Sequence, residues 1–122
     1  MNKNAPFMRR LAWAWQGIRT AYNDEKSFRS QIWVAITTLL ALMVLAPGWL
    51  WSAVVIMLMG LVLMAELFNT ALEAMLDGLH PGENDFVRKA KDCAAGAVLI
   101  TSLAAVGGGL AMIVDSLAGK WI

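Results

Sequence analysis

The sequence predicts an all-α membrane protein: three transmembrane helices preceded by an amphipathic helix that lies on the membrane surface. Three observations lead there. Of 122 residues, 59% are hydrophobic, and the mean hydropathy of +0.60 is far above that of soluble domains. The apolar residues fall into three runs, roughly residues 30 to 46, 49 to 72 and 93 to 114. The charges stand between those runs: Arg9, Arg10, Arg19, Lys26 and Arg29 come before the first, Arg88, Lys89 and Lys91 lie between the second and third, and Lys120 stands near the end. A net charge of +1 gives no global basic field, so nucleic acid is not an expected partner.

From the N-terminus, Phe7, Leu11, Trp15, Ile18 and Tyr22 recur at helical spacing, opposite Arg9, Gln16, Arg19 and Asn23. This pattern predicts the surface helix, over residues 6–27, with Trp13 off the apolar stripe. A polar, charged segment ahead of the first apolar run argues against a cleavable targeting signal, so the apolar runs are expected to stay in the mature chain. A helix crosses the hydrocarbon core with about 20 residues. The predicted spans are 29–46, 49–76 and 92–117, within a single domain over 1–122. Pro47-Gly48 is a turn signal that makes the first two spans a tight hairpin, with Trp49 and Trp51 at an interface. Lysine and arginine favour the cytoplasmic side, which puts the N-terminus and the basic loop after the second span inside, and the Pro47 turn and C-terminus outside. His80 to Asp85 reads as a loop by composition. Cys93 is the only cysteine; no intrachain disulfide is possible, and burial as a small apolar side chain is expected.

Within the second span the stretch AELFNTALEAMLD, residues 65 to 77, carries Glu66, Asn69, Glu73 and Asp77. Seven residues make almost two helical turns, so Glu66, Asn69 and Glu73 share a face and Asp77 continues it a turn later. From Trp51, Glu66 lies about 22 Å in at 1.5 Å per residue, just short of the inner interface, with Glu73 at or past it. An acidic side chain at a helix centre costs about 2.5–3.5 kcal/mol to insert and usually faces a protein interior or a watery cavity. A carboxylate drawn out of water holds a proton more readily, which suits a general base, and one nearer the water suits a hard divalent cation. Glu66 is the candidate base and Glu73 the candidate ligand, with Asp24-Glu25 on the same side as a further source of oxygen. Taken alone, Glu73 and Asp77 also read as interfacial charges, and Asp24-Glu25 as a solvated or capping pair. No Walker A loop, kinase glycine loop, zinc cluster or Ser/His/Asp arrangement is present. Gly107-Gly108-Gly109 reads as close helix packing, His80 as a loop residue and Asp115 as an interfacial charge.

These residues resemble a known family. AELFNTALEAMLD, followed by RKAKDCAAGAVL and preceded by WAWQGIRTAYNDEKSFRSQ, is similar to the prokaryotic integral-membrane diacylglycerol kinases, whose Gram-positive relatives phosphorylate undecaprenol. The shared pattern is E-x-x-N-[ST]-A-x-E-A-x-x-D with A-K-D downstream, and the resemblance covers nearly the whole chain. It implies a homotrimer in the bacterial inner membrane, with the N-terminus cytoplasmic, that moves the γ-phosphate of ATP to a lipid hydroxyl with Mg2+. By resemblance Glu66 is the base; Glu25 and Glu73 hold the metal; Trp13, Glu25, Glu73, Gly82, Glu83, Asn84, Lys91 and Asp92 contact the nucleotide. Arg19, Ser27, Phe28, Arg29, Glu66 and Ala95 line the lipid substrate, and Asn69 and Asp77 support the site. Gly82-Glu83-Asn84 stands where many relatives carry Glu-Tyr-His, and Trp13 where some carry tyrosine. Diacylglycerol is the expected acceptor, with undecaprenol as the alternative. Two readings of other classes remain: a proton- or ion-handling membrane protein, and a structural membrane subunit whose carboxylates only pair between helices. A relay needs polar groups continuing outward, but residues 51 to 65 offer only Ser52, and the third span adds Thr101 and Ser102.

Overall fold

The computed structural model describes residues 2–121, apart from the side chains of Lys120 and Trp121, so the charge at Lys120 lies outside the described residues. It contains four helices: α1 (Phe7–Asp24), α2 (Lys26–Leu45), α3 (Trp49–Leu79) and α4 (Asp85–Trp121). The last three are long and apolar enough to cross a membrane. At 1.5 Å per residue the 31 residues of α3 reach about 46 Å, against a hydrocarbon core of about 30 Å, so the helix must project beyond the core.

Each break has a local cause. The surface helix expected over 6–27 stops at Asp24, because Glu25 is extended (φ −112°, ψ 110°) and α2 restarts at Lys26. The guanidinium of Arg29 reaches back to close that break: Nη1 donates to the carbonyls of Tyr22 (2.7 Å) and Asn23 (3.2 Å). A cation on the last carbonyls of a helix is favoured by both hydrogen bonding and the helix dipole. At the hairpin, Ala46 takes a left-handed conformation (φ 44°) and its N–H donates to the Leu42 carbonyl. Gly48 follows with φ 103°, a conformation glycine adopts without steric cost.

The basic stretch expected as a loop is helical instead. Asn84 Oδ1 accepts the Phe86 N–H (3.1 Å), Asp85 sits in the first turn, and Arg88 pairs with Asp92 (3.1 Å). These are helix-initiating and i,i+4 interactions that a hydropathy reading does not detect. Arg88, Lys89 and Asp92 therefore stand exposed on the start of α4, with Lys91 half-buried among them, and the connection from α3 is short.

The antiparallel helices gather α1, the start of α2, the end of α3 and the start of α4 at one end; the Ala46–Gly48 turn and Asp115 mark the other. α3 packs most extensively on α4. The covered positions of α3 include Val55, Met59, Val62, Glu66, Asn69, Glu73 and Leu76, alternating steps of four and three. A matching series on α4 runs Val87, Lys91, Ala94, Val98, Thr101, Ala105, Gly108 and Met112. That spacing, averaging 3.5 residues, is the seam of left-handed helix packing. At Gly108 the missing side chain makes room for Leu58 of α3: a Cβ there would run into Leu58 Cδ1. Leu42, Val55 and Met112 form a buried cluster with Trp51 against it. Cys93, expected to be buried, is exposed, because it falls off the α4 seam one residue before Ala94.

Candidate functional site

Glu66 occupies a seam position on α3 and is 3% exposed, the one buried charged side chain among the described residues. An isolated buried carboxylate is costly unless a donor compensates it. Here the donor is Ser27 on the first turn of α2, whose Oγ–H donates to Glu66 Oε1 at 2.8 Å. One turn further along, the Asn69 amide donates to Glu73 Oε1 at 3.4 Å, while Asn69 Oδ1 is buried with no partner. Buried carbonyl oxygens are normally satisfied, so this one is an open acceptor. With the half-buried Glu73 carboxylate it makes up the oxygen donors at this level of the seam, the Asn69 amide meeting Glu73 through its NH2.

The oxygen set suits Mg2+, which usually binds through one or two carboxylates plus water and substrate phosphates rather than an all-protein cage. No group of three or more His, Cys, Asp or Glu side chains suited to a metal forms among the described residues. Glu25, the other expected ligand, is half-buried at the α1–α2 joint, and its side chain makes no capping hydrogen bond.

A cavity of about 530 Å³ opens at the elbow between α3 and α4, and its lining brings together Gly82, Glu83, Asn84, Lys91 and Asp92, five of the expected nucleotide contacts, with Asp77. Lys91 Nζ donates to Asp77 Oδ1 at 2.7 Å, and the Glu73 carboxylate acts on the same ammonium from farther off. Asp77 thus leaves the seam, which passes through Leu76, and serves the elbow. Five lining residues are not among the expected site residues: His80, Pro81, Asp85, Val87 and Arg88. Arg88 Nη1 holds Asp92 at 3.1 Å, and the His80 ring meets Phe86 edge-on, centroids 5.0 Å apart. The loop composition around His80 held no sign of that stacking, and Arg88 was visible only as one of three basic residues. Asp77, Glu83, Asp85 and Asp92 line the cavity with Arg88 and Lys91. With four carboxylates against two cations, a polyphosphate needs accompanying positive charge to enter.

The remaining expected residues are dispersed. Trp13 is half-buried on α1 and Arg19 exposed; no hydrogen bond or ion pair among the described residues ties either of them, or the Glu25 side chain, to Glu66 or Glu73. Phe28 is 1% exposed, a core side chain with almost no surface to offer a lipid within one chain. Arg29 is engaged in capping α1. Ala95 is exposed on α4, next to the seam.

A family model described as "Prokaryotic diacylglycerol kinase" matches residues 12–113. The chain is 36% identical over 96 residues to a diacylglycerol kinase of Synechocystis sp., an alignment covering 77% of this chain and 54% of that relative. It is 30% identical over 97 residues to the diacylglycerol kinases of Escherichia coli and Shigella flexneri, covering 77% of this chain and 77% of each. The alignment thus spans about half the length of the Synechocystis relative and most of the others.

Proposed function

Because the chain belongs to the prokaryotic diacylglycerol kinase family, we propose that it transfers the γ-phosphoryl group of ATP to the hydroxyl of diacylglycerol, giving phosphatidic acid, at the inner face of the cytoplasmic membrane. The observation that carries this reading is a carboxylate, Glu66, buried on an intramembrane seam and met by a hydroxyl. A lipid alcohol can bring its own hydroxyl to such a group from within the bilayer, while ATP reaches the polar elbow from water.

Phosphoryl transfer asks for positioning and charge neutralisation more than covalent chemistry. Glu66 accepts the proton of the lipid O–H as that oxygen bonds to the γ-phosphorus and the bond to the ADP oxygen breaks. Lys91, with Arg88 nearby, offers cations to the phosphates in exchange for its present partner Asp77. The donor set of Glu73 and Asn69 Oδ1, with Glu25, would hold Mg2+. When bound, that ion supplies neutralisation of phosphate charge.

A homotrimer fits the same reading. One chain of three spans covers its polar seam only partly, leaving Asn69 and Glu73 half-buried, and a subunit interface would shield them from lipid. The positive-inside distribution supports a cytoplasmic N-terminus. Purified protein in mixed micelles, given labelled ATP, magnesium and either diacylglycerol or undecaprenol, tests the proposal. Label should appear on diacylglycerol. Glu66→Gln keeps an oxygen for Ser27 yet should lose about 100-fold or more of the transfer, the scale of general-base catalysis, with its elution volume unchanged. Full transfer by Glu66→Gln would remove Glu66 as the base. Label on undecaprenol alone would reassign the acceptor, and ATP turnover with neither lipid would overturn the lipid-kinase reading.

A further inference from the structure

We propose that Ser27 is a positioning residue for the base: its hydroxyl holds Oε1 of Glu66 and leaves Oε2 to face the acceptor alcohol. The inference rests on the reading of Glu66 as base. A glutamate side chain has several rotatable bonds and two chemically equal oxygens, and catalysis needs one of them in a fixed place. Ser27 supplies the hydrogen bond to that carboxylate, at 2.8 Å across 39 residues of sequence.

The other helical hydroxyls that donate show that Ser27 is unusual. Ser30, Thr37, Thr38, Ser52 and Thr101 each donate to the carbonyl four residues earlier, the ordinary local bond of a hydroxyl in a helix. For Ser27 that carbonyl belongs to Asn23. Two features withdraw it: the extended residue Glu25 breaks the helix between them, and Arg29 Nη1 already donates to the Asn23 oxygen. The hydroxyl is released from its own backbone and turned onto the neighbouring helix. Glu25, Arg29 and Ser27 thus act together on the orientation of one carboxylate.

Steady-state transfer to diacylglycerol, with separate kcat and KM for lipid and ATP, tests this with a pair of nearly equal shape: Ser27→Thr keeps a hydroxyl and Ser27→Val removes it. The valine variant should lose about tenfold in kcat, the loss expected for one hydrogen bond to a charged group. Both KM values should stay within about twofold, the mark of an interaction that acts on the transition state alone. The threonine variant should regain most of the rate. On a Glu66→Gln background the threonine-to-valine difference should vanish, as coupling through Glu66 requires. Wild-type kcat in Ser27→Val overturns the inference, as does a raised lipid KM at unchanged kcat, which would put Ser27 on the lipid itself. Persistence of the difference on the Glu66→Gln background overturns it too. Ser27→Val eluting as aggregate moves the comparison to Ser27→Ala against Ser27→Thr, with the same outcomes. Failure of the base reading is seen separately, as full transfer by Glu66→Gln with Ser27 intact.

Discussion

The two halves of the α3 seam share one register and differ in chemistry. Toward the Ala46–Gly48 turn, the outer half in the proposed orientation, the seam is Val55, Met59 and Val62; toward the α3–α4 elbow, the inner half, it is Glu66, Asn69 and Glu73 before closing on Leu76. The outer half packs against Gly108 and Met112 of α4, and its only cross-helix polar bond among the described residues is Trp51 Nε1–H to Asp115 Oδ2, at 2.7 Å. The inner half meets Ser27 and leaves Asn69 Oδ1 unmatched. Apolar packing of small and branched residues holds transmembrane helices together, whereas polar groups at the same depth are costly to keep. With Glu66 as the proposed base, stability is invested in the outer half and reactivity in the inner half, with a single helical phase serving both.

That division makes opposite demands on variants from the two halves. Glu66→Gln heads the series, with transfer nearly abolished and resistance to unfolding in detergent retained. Gly108→Leu comes next, from the outer half: a side chain forced against Leu58 should cost about 1–3 kcal/mol of stability, read as a lower midpoint of denaturant-induced unfolding. The rate per folded molecule should hold. Lys91→Met, at the elbow, should raise the KM for ATP about tenfold, near the 1.4 kcal/mol of one order of magnitude in affinity. Its stability should barely change, since exposed ion pairs such as Lys91–Asp77 contribute about 0–1 kcal/mol. Asp115→Asn should have the smallest effect, about 0.6 kcal/mol, the mean for interhelical hydrogen bonds in membranes. A Gly108→Leu protein that unfolds normally but fails to transfer would break the division, as would a Lys91→Met protein that unfolds early.

Much of this arrangement was legible in the sequence because it depends on short-range periodicity. The apolar runs, the Pro47-Gly48 turn and the common face of Glu66, Asn69 and Glu73 all follow from spacings of a few residues. Interactions between distant residues were not legible. Ser27 and Glu66 are 39 residues apart, and Trp51 and Asp115 are 64 apart, so Asp115 read as a plain interfacial charge although it accepts a bond from an indole. The start of α4 was missed for another reason: hydropathy registers where lipid begins, while helices begin where capping groups allow. Arg88 to Asp92 are polar and helical at once. Cys93 shows the same limit from the other side, since an apolar run does not say which of its residues face the partner helix.

The seam also governs how the molecule can change length. Asp77, on the α3 side of the elbow, is joined to Glu66 by continuous helix, and one residue inserted or deleted between them would swing everything beyond it by about 100°. A step of seven residues restores the bearing to within about 20°, and with it the separation between the polar cavity and the membrane-embedded acid changes by roughly 10 Å. The reach of the molecule from water into lipid is geared, moving in steps that keep the face and not one residue at a time.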